Sequence, residues 1–262
     1  MYNLGYLIQP PTYMCKIEGV WTTGGDCTID NICAPDISIT DYKIDFSEGS
    51  GSLHNWWEKL DLMCMMEWER KFMGSIFFVG WCSTLLWVPL LSDKYGRKPF
   101  FVWGQVLQFA LMTVQMVTHN VMIMLIVIFA QGALTTIRIN IGYLWLMELL
   151  PKRHQTAIGS GWNVYESLTV MIGPLYFGFV SNKWFYLVLV GYIEQVICLA
   201  TCFFLPESPR LLVAMNRLGA ARESFKAIAG WNRKQFEWDS SDFRKAEKRS
   251  TIMTRARPST VV

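Results

Sequence analysis

Charge is scarce in this chain, and two long stretches lack it altogether. Charged residues are 17% of 262, against roughly 25% in soluble domains. Residues 72–91 and 99–117 contain no Asp, Glu, Lys or Arg. A soluble fold has no use for two such stretches a few residues apart. A bilayer does, because its core takes about 20 apolar residues per helix. Histidine is also rare: His54, His119 and His154 are the three present, far apart in sequence, so there is no metal-ligand helix and no nucleophile–His pair. There is no Gly-rich phosphate loop and no internal repeat. The basic residues sit in loops rather than in a stripe, which excludes a nucleic-acid module. The start, Met1 to Met14, has no basic n-region and is interrupted by Pro10-Pro11, so no cleavable signal peptide is expected. No covalent chemistry, no cofactor and no metal are implied.

What is present divides sharply. Hydrophobic residues are 52%, with 12 Trp and 14 Met. Residues 1–69 hold 3 basic and 11 acidic side chains, whereas 70–262 hold 21 basic and 10 acidic. An acidic head thus precedes a basic, apolar body, and such asymmetry means two environments. The head carries Cys15, Cys27, Cys33 and Cys64. Outside the cytosol these form two disulfides, with three pairings open. A zinc site with His54 is the rival, weakened by the absence of any C-x2-C pair. Cys82, Cys198 and Cys202 lie in apolar segments and read as packing residues.

The expected fold is an all-α polytopic transmembrane bundle of about five spans: 72–91, 99–117, 121–150, 157–180 and 184–205. Lipid cannot satisfy exposed backbone groups, so spans of this kind are helices. The third, about 45 Å long as a helix, must tilt or protrude. Loops rich in Lys and Arg alternate with poor ones. Lys94, Arg97 and Lys98 mark the first, Lys152 and Arg153 the third, and Arg210, Arg217 and Arg222 follow the last span. The basic set is therefore cytoplasmic. The organisation reads as an extracytoplasmic head over 1–69, a membrane bundle over 70–205, a cytoplasmic helical segment over 206–232 and a disordered tail over 233–262. Arg70 and Lys71 run against the charge rule, flanked by Glu67 and Glu69. Leu211, Met215, Leu218 and Phe225 form one helical stripe.

Between the first two spans the chain reads Leu91-Ser92-Asp93-Lys94-Tyr95-Gly96-Arg97-Lys98. Gly96 permits a tight turn with positive φ. Asp93 suits either a cap on the next helix or a partner for Arg97. This turn resembles the signature loop between helices 2 and 3 of the major facilitator superfamily. Glu148-Leu149-Leu150-Pro151-Lys152-Arg153-His154 resembles the segment ending helix 4 there. Pro206-Glu207-Ser208-Pro209-Arg210 resembles the motif after helix 6 of sugar and organic-ion porters. The long cysteine-bearing head points to the organic cation/carnitine transporter-like branch. Pro89 stands where the family loop has Gly, and Gln155 where a further basic residue is expected.

The resemblance implies that the spans match helices 2–6, that Tyr2 to Ile8 is the end of a truncated helix 1, and that a second half is missing. It implies a multi-pass membrane protein, with the plasma membrane as candidate location. It also implies alternating-access transport of a small organic ion or sugar. Asp93, Gly96, Arg97, Lys98, Glu148, Arg153, Glu207 and Arg210 become the conformational motif set, with interhelical ion pairs expected among Asp93, Arg97, Glu148, Glu207 and Arg210. Charged and amide groups inside spans are candidates for a substrate or proton pathway: Arg138, Glu166, Glu194, Gln108 and Gln115. Gln105, Gln108 and Gln115 share a face that either lines a polar cavity or hydrogen-bonds neighbouring helices. Trp162, Tyr165 and Glu166 suit an organic cation. Expected partners are the bilayer, the substrate, and a second copy or the missing C-terminal half. The competing reading is a non-transporting half-bundle acting as an interaction or sensor subunit.

Overall fold

A computed structural model describes residues 4–17, 19–23, 27–33, 41–47 and 50–233. The expected tail beyond Arg233 and the first two residues of the helix 1 remnant, Tyr2 and Asn3, lie outside the described residues. The elements run α1 (Leu4–Leu7), β1 (Tyr13–Ile17), β2 (Val20–Thr23), α2 (Ile29–Cys33), β3 (Tyr42–Ile44), α3 (Trp56–Lys59), α4 (Glu67–Thr84) and α5 (Val88–Tyr95). There follow α6 (Arg97–Val117), α7 (Val121–Thr136), a π-helical turn (Ile137–Ile141), α8 (Gly142–Leu149), α9 (Lys152–Phe179), α10 (Trp184–Phe204), α11 (Pro209–Ala214) and α12 (Leu218–Trp231). Long helices dominate, as an all-α membrane bundle requires.

Among the described residues, three helices are long and apolar enough to cross a membrane: Arg97–Val117, Val121–Leu149 and Trp184–Phe204. The bent pair α4 and α5 makes a fourth if taken as one span. The single helix expected over 72–91 is instead broken at 85–87 by a bend of 47°. Pro89 cannot donate to the carbonyl one turn back, so the helix restarts with Pro89 in its first turn. The expected span 157–180 is helical as far as Phe179, in α9, a longer 28-residue helix that starts at Lys152 and is not among the three named above. The 206–232 stripe is carried by two helices, with Asn216 at φ +60° between them.

The chain divides into two compact units. The first comprises Met1–Gly80, Leu111–Gly132 and Ser160–Glu194. It holds a small sheet of order β2-β1-β3, antiparallel throughout, with Met14 opposite Thr23 and Tyr13 opposite Ile44. Disulfides join Cys15 to Cys27 and Cys33 to Cys64. Tyr13, Cys15 and Cys27 form a small core with Ile29, Ile44 and Met63 packed on it. A core this small needs covalent help. The head is tied to helix ends of its own unit. Lys59 Nζ donates to the carbonyls of Gln115 (2.8 Å) and Met116 (2.9 Å) at the end of α6. It also lies 5.0 Å from the centre of the Trp184 ring. The His54 N–H donates to Asn182 O at 2.9 Å, and the Trp184 N–H donates to His54 O at 3.1 Å. Deeper in this unit α4 meets α7 at Gly132, where an added Cβ would collide with the Phe77 carbonyl.

The second unit comprises Trp81–Ala110, Ala133–Gly159 and Gln195–Val262. Its core is Val88, Phe101, Ile137, Ile141, Trp145 and Cys202. Thr84 Oγ1 bonds the carbonyls of Trp81 and Ala133 and the hydroxyl of Thr136. These bonds satisfy the two hydroxyls within the protein, as a lipid-bathed core demands.

Candidate functional site

The charged turn becomes a single hinge residue. α5 runs to Tyr95, α6 starts at Arg97, and Gly96 between them has φ +112°. Only glycine adopts that backbone without strain. Asp93 and Arg97 are therefore one turn apart across the corner, with Arg97 Nη2 2.8 Å from Asp93 Oδ1. Of its two expected roles, Asp93 takes the ion pair.

Arg97 is the centre of the site, its side chain only 6% exposed. Nε donates to Glu148 Oε2 and Nη2 to Glu148 Oε1, both at 3.0 Å. This is the two-pronged geometry for which a guanidinium is shaped. Nη1 donates to Ser92 Oγ at 3.2 Å, and that hydroxyl donates to Pro89 O at 2.8 Å. The end of α8 is thus joined to the α5–α6 corner by charge.

Glu207 was expected in an ion pair and does something else. Its Oε1 accepts from the N–H groups of Arg97 (3.1 Å), Lys98 (3.1 Å) and Ser208 (2.9 Å). Its Oε2 accepts from the Lys98 N–H as well, at 3.1 Å. A helix start leaves N–H groups without intrahelical partners, and a carboxylate there is favoured by the helix dipole. Lys98 returns the contact: its Nζ donates to the carbonyls of Phe203 (3.1 Å) and Leu205 (2.6 Å) at the end of α10. Trp145 Nε1 fixes Pro206 O at 3.2 Å, and Ser208 Oγ caps α11 at the Leu211 N–H, 3.2 Å away.

Arg210 is outside the ion-pair set. Its Nη2 donates to Leu150 O at 3.4 Å. Gln155 donates to the same carbonyl (3.2 Å) and to Met147 O (2.7 Å). The residue that departs from the family pattern therefore caps the end of α8. Arg153 is exposed, with no side-chain partner among the described residues. Ser92, Trp145, Gln155 and Ser208 are the contributors that sequence reasoning missed. Ser208, one residue before a Pro-led helix, carried an N-cap signal; the others carried none.

The polar groups inside the spans scatter. Gln115 is buried and accepts from Gln131 Nε2 at 2.7 Å. Gln105 is buried and accepts from Gln195 Nε2. Both of these stripe amides bond to an amide on another helix. Arg138 lies in the π-helical turn and is exposed. Arg138, Glu166 and Gln108 have no side-chain partner among the described residues. The Tyr165 hydroxyl donates to Glu194.

Helix ends joined by charge around a glycine corner, in an apolar bundle, are the make-up of a polytopic membrane protein. The Major Facilitator Superfamily profile matches residues 66–243, and the chain belongs to that family. It is 27% identical over 175 residues to organic cation/carnitine transporter 2 of Rattus norvegicus, covering 66% of this chain and 31% of that protein. It is 28% identical over 171 residues to solute carrier family 22 member 15 of Xenopus tropicalis, covering 64% and 31%. Human organic cation/carnitine transporter 2 is 25% identical over 175 residues, again covering 66% and 31%. The chain thus spans about a third of the length of the curated relatives it matches. It is a multi-pass membrane protein of a transporter family.

Proposed function

We propose that this chain supplies one helical half of an alternating-access transporter for a small organic ion. The other half is either the C-terminal bundle of a longer product or a second copy. The observation that carries the reading is the Arg97 pairing with Asp93 and Glu148. Such pairs hold one arrangement of helix ends and break when bundles rock. A static anchor would not need a buried two-pronged contact. The proposed topology puts this network on the cytoplasmic side and the disulfide head outside.

A cation is favoured over a sugar by two carboxylates in the first unit. Glu166 has no cationic partner among the described residues, and Glu194 accepts from a tyrosine hydroxyl. Trp162 and Tyr165 supply ring faces on the same helix. The names of the rat and human relatives, which refer to organic cations and carnitine, point the same way.

The test is uptake of radiolabelled tetraethylammonium by cells expressing the native full product and its Arg97→Ala and Glu166→Gln forms. Loss of maximal rate in the first, with KM little changed, and a raised KM in the second support the reading. Wild-type kinetics in Arg97→Ala at equal surface expression would sink the conformational role. The second reading is a non-transporting half-bundle acting as a membrane interaction or sensor subunit. It predicts a stable complex with a partner and no uptake of any labelled ion.

A further inference from the structure

α10 carries two thiols one turn apart, Cys198 and Cys202, neither in a disulfide. Cys202 is 3% exposed and Cys198 is half-buried. Four residues apart on α10, the two side chains share one helix face. Gln105 Nε2 donates to Cys198 Sγ at 3.7 Å. Cys202 belongs to the core with Phe101, Ile137 and Trp145, and Cys198 packs against that core. Transport as proposed uses neither thiol.

Two thiols one turn apart on one helix face can hold a single soft atom from both sides. Once the first bond forms, the second sulfur is at high effective concentration, so the ring closes and the adduct persists. The third free thiol, Cys82, lies on a different helix and is exposed. Soft sulfur ligands select soft acceptors. We propose that Cys198 and Cys202 form a chelating dithiol site for trivalent organoarsenicals inside the bundle. In the reaction an arsenoso group, R–As=O, meets two S–H groups. Two As–S bonds form, the As=O bond and both S–H bonds break, and one water leaves with the oxygen and both protons. Arsenic stays trivalent, so no oxidant or reductant is needed. The apolar surroundings admit a lipophilic reagent. The bridge adds volume to a packed core, which strains it.

The experiment uses the full chain in detergent with its head disulfides intact and no reducing agent. Phenylarsine oxide is added, excess is removed by desalting, and intact mass is read. One bridged adduct per chain is expected, retained on desalting and stripped by 2,3-dimercaptopropanol. Cys82→Ser keeps it; Cys198→Ser and Cys202→Ser each lose it while eluting as folded protein on gel filtration. Equivalent alanine variants check that serine itself is not the cause. Retention of the adduct by the Cys198→Ser/Cys202→Ser double variant would overturn the assignment. So would a native chain that takes no adduct.

Discussion

Arg97 and Lys59 each hold helix ends in this molecule, and they do so by opposite means. Arg97 sits among carboxylates: Glu148 on a two-pronged contact and Asp93 one turn away. Lys59 sits among neutral groups, two backbone carbonyls and the Trp184 ring. The first charge is compensated by side chains that belong to different helices. The second is met only by dipoles, and burial holds its ammonium below the ordinary lysine range. A compensated pair can be parted and remade, and each partner depends on the other being present. A cap on carbonyls is a one-sided anchor, and its loss leaves groups that water can satisfy. On the function proposed above, the motif region switches and the head stays.

Removing Arg97 tests the difference most severely. Arg97→Ala leaves Glu148, with a side chain only 15% exposed, without its cation. Breaking a buried pair from one side costs about 3–5 kcal/mol, so thermal melting in detergent should drop by many degrees. Arg97→Lys keeps the charge but loses the fork and should fall between. Asp93 is 53% exposed, so Asp93→Asn should cost less than about 1 kcal/mol. A wild-type melting point in Arg97→Ala would erase the contrast. Gly96→Ala comes next. Its φ of +112° and the 2.9 Å from its Cβ position to Glu207 Oε2 together demand movement of the carboxylate that caps α6. About 1–3 kcal/mol is expected, with added hydrogen exchange at the first turn of α6.

Lys59→Met keeps the stem and removes the ammonium. Two carbonyls at the end of α6 lose their donor, but the site is only half-buried. About 1 kcal/mol is expected, seen as faster hydrogen exchange in the last turn of α6 and in 118–120 with α8 unaffected. A loss as large as that from Arg97→Ala would show that the head cation also carries a buried charge network.

Much of the motif region is legible in the sequence because its signals are local. Asp93 and Arg97 are four apart, and Gly96 between them has a single backbone use. The pairing of Arg97 with Glu148 is not local, since 51 positions separate them; only the family resemblance puts them in one set. Glu207 is misassigned because a carboxylate near cations reads as an ion pair, whereas backbone N–H groups leave no mark in a sequence. The break at 85–87 is hidden because Pro89 sits inside an apolar run that has span length anyway. The π-helical turn at Arg138 has no compositional sign. The head is least legible: Tyr13–Ile17 is too short to show alternation, and four cysteines allow three pairings.

The head also has the smallest effect to measure, in alkali. Tyr13 is 5% exposed and accepts from Trp57 Nε1 at 2.7 Å. Burial raises its phenol above the ordinary value of 10.0, and the Trp57 bond opposes this in part. With the folded pKa raised, the folded head binds more protons than the unfolded chain once pH exceeds about 10. The stability from Tyr13 is therefore complete below pH 10 and is lost as pH climbs towards the folded value. Lys59 acts in the opposite sense. Its folded pKa is lowered from 10.5, so between the folded and unfolded values the unfolded chain binds more protons and stability rises with pH. The two partly cancel in wild type. Tyr13→Phe should steepen the rise, at a neutral-pH cost of about 1–2 kcal/mol for the orphaned indole N–H. Lys59→Met should expose the Tyr13 decline. Tyrosinate absorbance against pH, beside melting in each variant, separates them. Parallel pH curves for both variants would mean that neither group is held as the structure places it.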